Sequence, residues 1–149
     1  MMSQHLVIPN DIFFSEVEKH LAEGKSVVFP VKGYSMLPFI RNGEDSVELV
    51  RCKGLEVGDI ALAHLLNGAY VLHRVWDMKG EKVILMGDGN ISGKEFCLRS
   101  DVLGVAVRIL KRDGKVIECT DPSYLKKVKL WRILLPIRRY ILAIYRRLI

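Results

Sequence analysis

Phe13, Val17 and Leu21 recur at four-residue intervals near the start of the chain, with mostly polar residues between them. That spacing places all three on one helical face, with Asn10 or Asp11 suited to the cap and Gly24 to the C-terminal stop. One short helix is predicted. From Ser26 the texture changes to short β-branched runs separated by turn residues, the pattern of an antiparallel β domain. The runs cover 27–31, 46–50, 60–65, 70–76, 82–86, 102–110 and 116–119. Asn67-Gly68 between the third and fourth runs is the strongest hairpin signal in the chain, and Lys79-Gly80 and Asp113-Gly114 mark two further turns. The fold class expected is therefore mainly β.

The stretch 124–149 has a different pattern, in which large apolar residues are interleaved with arginine and lysine. A bilayer crossing there would carry Arg132, Arg138, Arg139, Arg146 and Arg147 into hydrocarbon, at about 2.5–3.5 kcal/mol for each charge near the centre. Spanning is disfavoured. A helix lying in the headgroup plane suits the composition better, with arginines toward lipid phosphates and Pro136 as a kink or break. Trp131, Tyr140 and Tyr145 favour the same interfacial reading. The alternative is a helix packed on the protein's own core or on a partner subunit. The expected organisation is a helical segment over 1–25, a β domain over 26–121 and a basic amphipathic helix over 122–149.

Charge sharpens this division. The 149 residues hold 23 Lys and Arg against 17 Asp and Glu, for a net charge of +6. Eight of the basic residues and none of the acidic ones follow Pro122, so the body before them carries 15 basic against 17 acidic groups. The basicity belongs to the tail, and specific nucleic-acid binding is not expected. Attraction to the anionic cytoplasmic leaflet is. Half of the chain is apolar, enough for one domain with a real core. The three cysteines, Cys52, Cys97 and Cys119, show neither CxxC nor Cys/His metal spacing, so a reduced compartment and no metal or other cofactor are expected. Residues 1–9 lack a charged start followed by a long apolar run, so neither a secretory signal nor a leading anchor is expected there.

The candidate chemistry begins at Ser35, which follows a Gly33-Tyr34 turn, and at His73 in the strand-like run Tyr70-Val71-Leu72-His73-Arg74-Val75. A serine hydroxyl is a poor nucleophile at neutral pH and needs a proton acceptor within hydrogen-bond reach. A histidine on a strand suits that task. His64, on the neighbouring run, is a rival base read as structural, and Asp59 is read as ordering the Gly58 turn.

Four segments carry a resemblance: Gly33-Tyr34-Ser35-Met36-Leu37-Pro38, Val57-Gly58-Asp59-Ile60-Ala61-Leu62-Ala63, the His73 run, and Met86-Gly87-Asp88-Gly89-Asn90. In that order they resemble the boxes of the signal peptidase I and LexA-like serine peptidase superfamily, over about 27–106. The resemblance implies a coiled β domain with the nucleophile in the Ser-Met dipeptide. His73 stands where bacterial signal peptidases and LexA-like proteins have a lysine, and is similar to the endoplasmic-reticulum and archaeal branch. By that resemblance Ser35 is the nucleophile, His73 the general base and Asp88 the carboxylate that orients it. The chain departs from the histidine-type branch by having Lys94 and Glu95 where a second Asp is found, so Asp88 serves alone, Glu95 substitutes, or the site is a dyad. It departs again at Gly33, where many signal peptidases have a serine hydroxyl for the oxyanion, leaving the Ser35 amide as donor. Gly33, Met36 and Pro38 are expected to shape the substrate groove.

These readings together point to a serine endopeptidase that cuts a peptide or precursor leader at a membrane surface. The resemblance further implies an extended substrate with small residues before the cut. Two alternatives compete: an inactive peptide-binding module of the same fold, and a LexA-like regulator. The latter fits less well, because only about 25 residues precede Val27 and no Ala-Gly or Cys-Gly pair lies upstream of Ser35.

Overall fold

The computed structural model describes residues 10–149, so the expectation for residues 1–9 lies outside the described residues. Helix α1 (Asn10–Ala22) buries Val17 and Leu21 in the main core, and Phe13 and Phe14 pack edge-on against Phe29. Its four-residue apolar spacing is what makes that single face available.

The β domain comprises β1 (Val27–Pro30), β2 (Ser46–Arg51), β3 (Ile60–His64), β4 (Tyr70–Lys79), β5 (Lys82–Met86), β6 (Glu95–Leu98), β7 (Val102–Leu110) and β8 (Val116–Glu118). They form one curled antiparallel half-barrel sheet in the order β1-β2-β7-β3-β4-β5-β6, with β8 added to β7. Register shifts between Glu48 and Leu49, Leu62 and Ala63, and Val75 and Asp77 supply the extra residues that bend strands and curl a sheet. One core lies between α1 and the sheet around Val47, Leu49, Ile60, Leu62 and Ile109. A second gathers Ala61, Ala63, Val75, Val83, Leu85 and Cys97. The three cysteines are free thiols.

Seven of the eight strands coincide with the sequence pattern within a few residues. Strand β6 does not, because it is four residues long and buries only Cys97, too short a run for alternation to register. The C-terminal region has the break expected at Pro136 but packs differently from expectation. The single helix predicted over 122–149 is two: α2 (Pro122–Ile133), capped by the Asp121 side chain on Ser123 N–H, and α3 (Arg138–Leu148). Between them runs a tight turn over Leu135–Ile137 that contains Pro136, which has no N–H to continue the ladder. Trp131 is not an interfacial residue: it is buried with Leu37 and Leu142, against which Tyr145 packs, so α2 and α3 are docked on the domain. Among the described residues no helix is long and apolar enough to cross a membrane.

Candidate active site

Ser35 sits in the turn-rich loop between β1 and β2. Its position is set from both sides. Gly33, at φ +93°, turns the chain in a conformation that side-chain-bearing residues resist, and its N–H donates to Asn42 Oδ1 at 2.7 Å. Immediately after the serine, Met36 and Leu37 are 1% and 0% exposed and anchor the loop in two different clusters. The Ser35 carbonyl accepts from Gly89 N–H at 2.7 Å. The Ser35 N–H has no acceptor among the described residues, so it remains available to a ligand oxygen.

His73 lies in the middle of β4, opposite Ala61 of β3. Its Nδ1 is 2.6 Å from Oε1 of Glu95. The register explains how a residue two strands away reaches it. Arg74 pairs with Met86 and Leu85 with Glu95, so one further step along β4 and β5 sets His73 opposite Gly87. Paired residues share a face and successive ones alternate, which places His73, Gly87 and Glu95 on the same side. Two strand spacings separate His73 from Glu95, roughly 9–10 Å. Gly87 offers no side chain in that gap, and the carboxylate extends across it.

Gly87 and Gly89 also bring the Gly87-Asp88-Gly89-Asn90 loop flat against the serine. A Cβ on Gly87 would run into the Ser35 carbonyl oxygen and lie 3.2 Å from His73 Cδ2, and one on Gly89 would run into the Tyr34 carbonyl. The imidazole Cδ2 and the Ser35 carbonyl therefore both border the space that a Gly87 side chain would fill. Ser35 and His73 line one cavity of about 590 Å³ whose walls include Phe14, Phe29, Tyr70 and Leu72. No hydrogen bond joins the hydroxyl to the imidazole.

Asp88 is elsewhere. Adjacent strand residues point to opposite faces, so Arg74 turns away from the cavity toward α2. There its Nε donates to Asp88 Oδ1 at 3.1 Å and its Nη2 to Oδ2, while Nη1 donates to Gly58 O at 3.0 Å and Tyr124 OH at 2.7 Å. Arg74 and Asp88 are 5% and 4% exposed. Burial opposes the Arg74 charge, but Asp88 and Tyr124 hold its pKa above the ordinary arginine value. Burial pushes the Tyr124 hydroxyl up to about 12. Trp131 Nε1 donates to the Asp88 carbonyl at 2.8 Å, tying α2 to the same loop. Asp88, expected beside His73, is instead paired with a buried arginine, and the carboxylate at His73 Nδ1 is that of Glu95, the alternative named above.

The residues expected to shape the groove are also dispersed. Gly33 and Met36 are not among the residues lining the Ser35–His73 cavity, and Met36 belongs to the core. Pro38 lines a different cavity, of about 430 Å³, beside α2. The side chains that do line the site, Phe14 of α1 and Phe29 and Tyr70 of the sheet, have the spacing of ordinary core positions, and their sequence signal is indistinguishable from packing. His64 stacks on Tyr70 at 4.1 Å between ring centroids, a packing role, and is not among the residues lining the Ser35–His73 cavity. Asp59 accepts from Glu56 N–H at 2.9 Å and orders the turn before β3. Among the described residues no group of three or more His, Cys, Asp or Glu side chains gathers to hold a metal ion. No family model matches the chain, and no curated protein matches it.

Proposed function

We propose that the protein is a serine endopeptidase of the signal peptidase and LexA-like kind, with Ser35 as nucleophile, His73 as general base and Glu95 as the carboxylate that orients the base. The observation that carries this reading is the disposition of His73. Its Nδ1 is held by Glu95, it lines one cavity with Ser35, and its Cδ2 borders the same space above Gly87 as the Ser35 carbonyl. With Nδ1–H donating to the carboxylate, Nε2 presents its lone pair to accept a proton. Ser35 Oγ attacks the scissile carbonyl carbon as its proton passes to Nε2. The imidazolium then returns that proton to the leaving amine, and a water activated by the same nitrogen hydrolyses the acyl-enzyme. The Ser35 N–H, lacking an internal acceptor, donates to the oxyanion; one such donor contributes about 3–4 kcal/mol.

The four sequence boxes support the assignment by converging. The serine loop, the turn before β3, the centre of β4 and the loop after β5 interlock through Gly89 on Ser35, Arg74 on Gly58 and Arg74 on Asp88. The edge position of β1 supports an extended substrate, since Val28 to Lys32 border the cavity and, among the described residues, one side of β1 has no strand partner.

The test is a fluorophosphonate probe, which reacts only with an activated serine. Wild-type protein is expected to label at Ser35, with labelling lost in Ser35→Ala and His73→Ala. Equal labelling of all three, or none of a folded wild type, removes the peptidase and leaves the peptide-binding reading, which the missing Ser35–His73 hydrogen bond favours.

A further inference from the structure

We propose that α3 docks the protein onto an anionic lipid surface through a stripe of apolar side chains that the fold leaves outside. Arg138 and Leu142, four residues apart, are each 2% exposed and set the rotation of the helix. Arg138 donates to Asn90 O and Trp131 O and lies over the Trp131 ring, so α3 cannot roll without breaking these contacts. With that face engaged, Tyr140, Ile144 and Leu148 repeat at four-residue intervals on another and are 65%, 63% and 79% exposed. Ile137, just ahead of α3, is also exposed. Isolated exposed apolar residues are ordinary, but a helical stripe of them is a surface for something.

Charge selects the occupant. Arg139, Arg146 and Arg147 on the same helix are exposed, as are Lys126, Lys127 and Lys129 on α2, and no aspartate or glutamate follows Asp121. A second copy meeting this face by two-fold symmetry would bring like charges together. A polyanion such as nucleic acid would leave the apolar stripe in water. An anionic bilayer surface satisfies both parts, taking the apolar residues at the acyl boundary and the guanidinium groups at the phosphates. Lipid binding requires no catalytic step, so this inference stands or falls separately from the peptidase. If both hold, the Arg138 to Asn90 contact keeps the Ser35–His73 site attached to the lipid-bound helix.

Flotation of the full chain decides the matter. The protein is expected to rise with phosphatidylglycerol–phosphatidylcholine vesicles and much less with phosphatidylcholine alone. Ile144→Ser/Leu148→Ser is expected to lower the partition coefficient about tenfold or more, and Arg139→Gln/Arg146→Gln/Arg147→Gln about a hundredfold on anionic vesicles only. All five side chains are exposed, and unchanged circular dichroism and melting verify that the variants remain folded. Equal recovery of wild type and variants, or no recovery of the wild type, overturns the proposal. So does a concentration-dependent dimer that Ile144→Ser/Leu148→Ser dissolves, with no vesicle binding, which would assign the stripe to a second copy.

Discussion

Replacing Glu95 by glutamine and Asp88 by asparagine separates the carboxylate that serves the imidazole from the one that serves the fold. Asp88→Asn leaves the buried Arg74 guanidinium with only neutral acceptors, Gly58 O and Tyr124 OH among them. Removing one partner of a buried ion pair costs about 3–5 kcal/mol. In a chain of this size each kcal/mol moves the midpoint by about 2–4 °C, so melting should fall by roughly 6–20 °C. Glu95 has one side-chain partner and is partly exposed, so Glu95→Gln should change stability by no more than about 1 kcal/mol. Its effect on rate is the larger one. Without the carboxylate the wrong tautomer competes and the imidazolium loses its counter-charge, for a loss of about 10²–10⁴-fold. The second-order rate of fluorophosphonate acylation reads this directly, with scanning fluorimetry on the same samples and all rates taken below the lowest melting point. Glu95→Gln acylated at the wild-type rate, or Asp88→Asn silent at unchanged melting temperature, would refute the assignment.

Gly87→Ala should slow acylation roughly a hundredfold and destabilise by about 1–3 kcal/mol, because its Cβ displaces the Ser35 carbonyl and crowds His73; Gly93→Ala, with nothing within 4 Å, is the matched control and should change neither. Burial pushes the Asp45 carboxyl up, but the ion pair from Lys111 at 2.6 Å and the amides of Arg41 and Arg112 outweigh it and hold the group below its ordinary 3.8. A depressed folded pKa means this contribution is complete above 3.8 and disappears as pH falls through the lower folded value, so urea midpoints should drop in that acid range and Asp45→Asn should flatten the drop. Burial pushes the Cys97 and Cys119 thiols up to about 11, which leaves few thiolates at pH 8; iodoacetamide should modify both slowly in native protein and rapidly in urea, and fast native modification would contradict the packing.

Local pattern was enough for most of the sheet. The β-branched runs of β2, β4 and β7 and the Asn67-Gly68 turn depend on neighbours within a few residues, which is the range over which strand preference and turn chemistry act. The proposed nucleophile and base, Ser35 and His73, each lie within a recognisable run. The helix break at Pro136 was anticipated as a kink or break, whereas the burial of Trp131 was not, since an aromatic among basic residues such as Lys129 and Arg132 reads equally as interface or core until something covers it.

The orienting carboxylate shows where sequence reasoning stops. Asp88 follows β5 and Glu95 opens the short β6, and nothing local shows which of the two reaches His73. Face and register do: Arg74 points away from His73 and claims Asp88, while the pairing of β5 with β6 carries Glu95 over Gly87 to the imidazole. Composition alone determined that the C-terminal region is cationic and rich in large apolar residues. Which of those residues are consumed by the core and which are left for a partner was decided only by the docking of α2 and α3, because burial belongs to contacts between distant segments rather than to any one of them.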